Sequence, residues 1–250
     1  MRIRVVCKPK DRRFPLAYRM MISSLIKKSI ETVDESYFRE MYYYGEKKNK
    51  KIKPFTFSVF FNDYKIEKEE VMINGQVSII LSTSDYNFGI ILYNGLLKLK
   101  SYFYKNNETD SYEIDIQRVI LEKEKLINDE RILCKTLSPI HIKDKTNKPV
   151  SIESNEFVDG LNYISNIALE TIRGEGLREE LKFTPIKNIK KVVAKEEITD
   201  FKQITKKRYI YIEGYSGSFY LEGNIEDLRM LMQIGLGFRR SEGFGLIDLV

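Results

Sequence analysis

Histidine is almost absent from this chain: His141 is the only one in 250 residues. Cysteine is nearly as scarce, with Cys7 and Cys134 far apart. One imidazole and two distant thiols cannot assemble a zinc-type ligand set, and no Ser-His-Asp arrangement is compelling. Any catalysis must therefore proceed mostly without imidazole, and neither a metal nor another cofactor is expected. The cysteines lie in strand-like stretches, where they should be buried and reduced rather than bridged. Also missing are a charged-then-apolar leader and an apolar run long enough to span a bilayer. A soluble, cytoplasmic protein with no membrane partner is the expectation. The Gly-Lys-Ser/Thr of a P-loop is absent too, which argues against mononucleotide binding.

Bases and aromatics are plentiful. Net charge is +6, and the excess is clustered: "EKKNKKIK" (46–53) holds five lysines against one glutamate, and "KPKDRR" (8–13) four bases against one acid. Such clusters are the electrostatic footprint of nucleic-acid binding, although a solvated face is their commoner meaning. The 16 tyrosines and 14 phenylalanines could stack on bases, which favours RNA or a single strand. With 42% hydrophobic residues the chain is globular, long enough for one large domain or two ordinary ones.

The apolar pattern runs twice through one order. Strand signals at 2–8, 55–61, 76–82 and 113–124 alternate with helical stripes at 15–33 and 86–101, giving βαββαβ. In the second half, strands are expected at 131–142, 189–198, 207–222 and "LIDLV" (246–250). Helices are expected at 154–173 and from Asn224, with Asp227 making a capping-box-like start. The fold class is therefore α+β: tandem ferredoxin-like domains, residues 1–126 and 127–250. Between the last helix and the last strand lies a glycine-rich loop, 235–245, containing Gly235, Gly237, Gly243 and Gly245 with Arg239 and Arg240 between them. Glycines admit close approach to the backbone, and amides beside arginines suit phosphate oxygens. A dinucleotide fingerprint would need a preceding strand and a following helix, so a phosphate chain fits better.

This combination resembles the CRISPR-associated endoribonucleases that cut repeat RNA into guide RNAs, members of the repeat-associated (RAMP) superfamily and the sixth family in the Cas nomenclature. The residues that carry the resemblance are "GLGFRRSEGFG" (235–245), "KPFTFS" (53–58), "LSPI" (137–140) and "LEGNIEDLRMLMQIGLG" (221–237). It implies attack by the ribose 2′-OH without a metal, leaving a 2′,3′-cyclic phosphate and a 5′-hydroxyl. The implied partner is CRISPR repeat RNA or its precursor, with a homodimer or a multi-subunit effector complex as further options. Many members carry a catalytic histidine shortly before the "KPFTFS"-like strand; here the region reads "REMYYYGEKKNKKIKPFTFS" and has none. A repeat-RNA-binding protein without catalysis and a structural effector subunit are therefore the alternatives.

Tyr42 and Tyr43 stand at roughly the missing histidine's place, with Lys47 and Lys48 close by and Lys27 and Lys28 at the end of the first helix. Tyrosine can donate or orient, while lysine can be driven toward neutrality by burial or neighbouring cations. These residues are the candidate catalytic group. Gly235, Gly237, Arg239, Arg240, Gly243 and Gly245, with Lys190 and Lys191 of "KNIKKVVAK" (187–195), are the candidate RNA-binding set. His141 is expected on the strand face opposite Ile140 and Ile142, at the surface or toward RNA.

Overall fold

The alternation in Arg2–Pro9 buries Ile3, Val5 and Cys7 on one face, and this strand is the centre of the first sheet. In the computed structural model, which describes residues 1–106, 110–187, 189–197 and 199–250, that sheet is antiparallel. Its order is Phe55–Phe61, Val77–Thr83, Arg2–Pro9, Ser111–Glu122, Ser101–Lys105. Helices Arg19–Val33 and Tyr86–Lys98 cover one face with Met21, Ile22, Leu25, Phe88 and Leu92. They approach closely because Gly95 has no side chain; a Cβ there would lie 2.0 Å from the Ser29 carbonyl oxygen.

The second sheet has the order Lys182–Pro185, Ser218–Glu222, Arg131–Thr136, Ile247–Leu249, again antiparallel. Helices Asn155–Arg173 and Ile225–Ile234 pack on it, and Phe157, Leu161, Phe219, Leu228 and Leu231 form a separate core. In each half the strands fall in the order two, three, one, four of a βαββαβ unit. The chain is thus a pair of ferredoxin-like units in tandem.

Several expected elements shift. The second strand of the second unit is Lys182–Pro185, not 189–198; it is only four residues long and ends in proline, so it carries little strand signal. Lys190–Glu196 instead pairs with Ile210–Ser216 in a ribbon of its own. Asn188 and Ile198, at the margins of the expected basic hairpin and strand, lie outside the described residues. The stretch 207–222 breaks at Gly217 into two strands that serve different sheets, and 131–142 ends as a strand at Thr136. Asn224 does cap its helix, accepting from Glu226 N, but Asp227 turns away to Arg173 at 2.6 Å. The first helix begins at Arg19 rather than 15, and the helix expected over 86–101 ends at Lys98. Among the described residues no helix is long and apolar enough to cross a membrane.

Candidate nucleic-acid interface

Where the last helix ends, Gly235, Gly237, Gly243 and Gly245 all take positive φ, and Arg239 joins them at φ 59°. The loop closes on itself and on the first half. A Cβ at Gly245 would stand 1.8 Å from the Leu236 carbonyl oxygen, and one at Gly243 would stand 2.6 Å from the Phe57 ring. Thr56 Oγ1 donates to the Phe244 carbonyl at 2.8 Å. The "KPFTFS" strand and the glycine loop, 188 positions apart at this bond, are therefore in direct contact.

Free glycine amides are expected from the sequence; the structure commits most of them to the fold. The amides of Gly235, Gly243 and Gly245 donate to the carbonyls of Leu231, Arg240 and Pro139. These glycines shape the loop because protein backbone and rings crowd them, and the cationic side chains of the turn line the groove beside it.

Arg240 is 5% exposed and has no counterion or side-chain hydrogen bond among the described residues. Burial alone pulls its guanidinium down to about 10. Arg239 is partly balanced by Glu242 at 2.5 Å. Both arginines line a groove of about 300 Å³ together with Lys50, Lys51, Lys53 and Lys143. Ile52 packs on the second core, which holds this lysine segment across from the loop. An unpaired buried cation in a basic groove is a strong anion-binding arrangement.

Lys53 is the most perturbed lysine of the groove. Its Nζ donates to the carbonyls of Asn49 at 3.1 Å and Lys51 at 2.9 Å. Burial first, then the charges of Lys27 and Lys51, bring its pKa down to about 8. Two ammonium groups approach the Tyr42 ring, Lys27 Nζ at 5.0 Å and Lys53 Nζ at 5.6 Å from its centre. Burial raises the Tyr42 phenol well above its ordinary value, so it can orient or donate but not accept a proton near neutrality.

The other candidates lie elsewhere. Tyr43 pairs with Lys48, and Tyr44 with Lys47, in a short hairpin whose residues are exposed. Lys28 is exposed and paired with Glu31 at 3.0 Å. Lys190 and Lys191 sit on the exposed ribbon, with Lys191 bound to Glu213 at 2.7 Å. Lys50, Lys51 and Lys53 fall within the basic stretch 46–53 noted in the sequence but are not among the candidate residues named from it, and Lys143 escapes a reading of the sequence; the available signal was that Lys53 immediately precedes Pro54 and the Phe55–Phe61 strand.

His141 corrects an expectation. Ile140 and Ile142 do point into the core, but His141 is itself 6% exposed. Its Nδ1 is 2.7 Å from the Glu213 carbonyl oxygen, and its ring meets Phe238 and Phe244. The segment has left the sheet at Thr136, so alternation no longer sends neighbours to opposite sides. Burial lowers its pKa, and it packs behind the glycine loop as a neutral ring.

Residues 121–249 match the family model described as CRISPR associated protein Cas6, C-terminal. The whole chain superposes on the product of a Cas6-related gene from Pyrococcus furiosus, with a TM-score of 0.80, 19% identity and 98% of that chain covered. It likewise superposes over its full length on a RAMP protein described as binding different RNA substrates (TM-score 0.78, 20% identity, 99% of that chain). A Cas6 product complex aligns end to end with a TM-score of 0.64 and 13% identity. At such identities the likeness is one of fold. No curated protein sequence matches the chain.

Proposed function

The chain belongs to the CRISPR-associated Cas6 family, and on that footing we propose that it binds CRISPR repeat RNA and cleaves it without a metal. The observation that carries this reading is Arg240, buried without a counterion and lining one groove with Lys53. Arg239, Arg240, Lys50 and Lys51 hold phosphates across the junction of the two units, taken to divide between residues 126 and 127. Gly235, Gly237, Gly243 and Gly245 fix the turn that presents the arginines. Lys53 exchanges the proton at the scissile phosphate while Tyr42 and Lys27 position it. The ribose 2′-OH attacks, and the products are a 2′,3′-cyclic phosphate and a 5′-hydroxyl. Tyr43, Lys47, Lys48 and Lys28 lie outside the groove and, with Lys190 and Lys191, extend the surface for RNA. The site of action on this reading is the cytoplasm.

A second reading has its own observation. The sole histidine is buried away from the groove and the Tyr42 phenol cannot act as a base, which fits a protein that binds repeat RNA without cutting it. Such a subunit would act as a homodimer or within an effector complex. The deciding experiment is incubation of the pure protein with its repeat RNA in excess chelator. Cleavage with a cyclic phosphate end, abolished by a 2′-deoxy substitution at the cut, supports the enzyme. Tight binding with no cleavage at any pH supports the second reading.

A further inference from the structure

The groove at Arg240 continues past Lys143 and Phe238 into a larger one of about 790 Å³. Its character changes on the way. Beyond Phe238 the wall is the face of helix Asn155–Arg173 that carries Asp159 and Tyr163, one turn apart. Tyr163 is 63% exposed, a large ring lining the groove and open to solvent. Opposite, Lys143 Nζ lies 5.2 Å from the centre of the Phe238 ring. The far rim is the turn 144–148, fixed because Asp144 accepts from Thr146 N, Thr146 Oγ1 and Lys148 N. Asp144 is thereby occupied, whereas the Asp159 side chain has no ion pair or hydrogen bond among the described residues. A carboxylate free to accept, in a groove also lined by two aromatic rings and by Glu156, suits an amine on a flat heterocycle and repels phosphate.

We infer that this second groove is a nucleobase subsite, in which Tyr163 and Phe238 stack on one base and Asp159 accepts from its exocyclic amine. The nucleotide's phosphate is the one held at Arg239 and Arg240, so the inference rests on the RNA-binding reading above. The cavity is of the size that takes small ligands, about 300–1,000 Å³. Adenine, cytosine and guanine all carry an exocyclic amine, and uracil alone among the four bases carries none. Uracil presents a carbonyl at the corresponding position, which the carboxylate rejects, so the subsite selects against uracil.

The test uses the full chain and short single-stranded oligo(A), oligo(C) and oligo(U) RNAs, with affinities measured across salt concentrations. Cytosine against uracil exchanges the amine for a carbonyl, and the N3 acceptor for an N–H, on rings alike in size. Wild-type protein is expected to prefer oligo(C) over oligo(U) by roughly ten-fold, the scale of one good polar base contact. Asp159→Asn should erase that preference while leaving oligo(U) binding intact. Tyr163→Ala should weaken oligo(A) and oligo(C) by about ten-fold or more, and Tyr163→Phe should restore them. Tyr163 is so exposed that its replacement leaves the fold in place. If all three RNAs bind equally and with the usual salt slope, or the variants leave the preference unchanged, the subsite is refuted while RNA binding stands. If no RNA binds, the RNA reading itself fails and takes the subsite with it.

Discussion

Arg19 Nη1 donates to Glu196 Oε1 at 2.6 Å, and both residues are buried. Arg19 Nε also reaches the Gly243 carbonyl at 3.2 Å, and its guanidinium lies 4.5 Å from the centre of the Phe244 ring. One side chain of the first helix thus ties the inserted ribbon and the glycine loop to the first unit. Burial raises the Glu196 carboxyl to about 7 even beside this cation, and its Oε2 has no partner. Replacing Arg19 by Met should cost roughly 3–5 kcal/mol at pH 8, because it strands a buried carboxylate. The sign with pH follows from a raised folded pKa: this group's stability is fully present below the unfolded value of about 4.5. It is lost as pH rises through about 7. The deficit of the variant should therefore shrink toward pH 5, which denaturant melts at several pH values would reveal.

Arg240 should separate stability from binding. A buried cation with no counterion burdens the fold, and replacing it by a hydrophobe of similar length relieves that cost. Arg240→Met is expected to melt no lower than the wild type, yet to bind RNA at least ten-fold more weakly with a shallower salt slope. A matching loss of melting temperature would mean that the arginine serves the fold alone.

Lys53 sets the expected pH dependence. If it takes the proton from the 2′-OH, the cleavage rate should rise through about pH 8 and level off, with no inflection in the ordinary histidine range. Lys53→Arg keeps the charge but cannot release a proton, so the rate should fall by about 10²–10⁴-fold with affinity nearly unchanged. Lys47→Ala and Lys48→Ala, on the exposed hairpin, should weaken binding more than chemistry. Single-turnover rates beside equilibrium binding resolve the two.

Two glycines with positive φ offer a matched comparison. Gly174, the cap of helix Asn155–Arg173, has open space where a Cβ would go, so Gly174→Ala should cost about 1 kcal/mol. At Gly245 the same methyl would meet the Leu236 carbonyl oxygen, and the loop must come apart; the loss should be roughly 3–5 kcal/mol. Chemical denaturation of the two variants checks the ranking.

The tandem architecture was legible because its long helices carry unbroken apolar stripes and its central strands alternate. Phe55–Phe61 was readable to the residue. Lys182–Pro185 was not, since four residues beside a more regular ribbon lose the contest for strand signal. The site was legible only in part. Arg239 and Arg240 stand out by composition, but Arg240's isolation and Lys53's depressed pKa arise from burial between segments nearly two hundred positions apart in the chain. The glycines were visible for a reason that differs from the real one: crowding by Leu236, Phe57 and His141 rather than room for a ligand. His141 misled because strand alternation was extended beyond Thr136, where the sheet ends.

The two carbonyls that hold the Lys53 ammonium have a bearing on how readily its proton can leave and return. An ammonium has three N–H groups, and the carbonyls of Asn49 and Lys51 take two. A neutral amine still has two N–H groups and gains a lone pair in the third direction. Both protonation states therefore keep the same pair of hydrogen bonds, and neither side chain nor backbone has to rearrange between them. A lysine tethered in this way can be acceptor in one step and donor in the next from a single fixed position, which is what one titratable group must do when no imidazole shares the work.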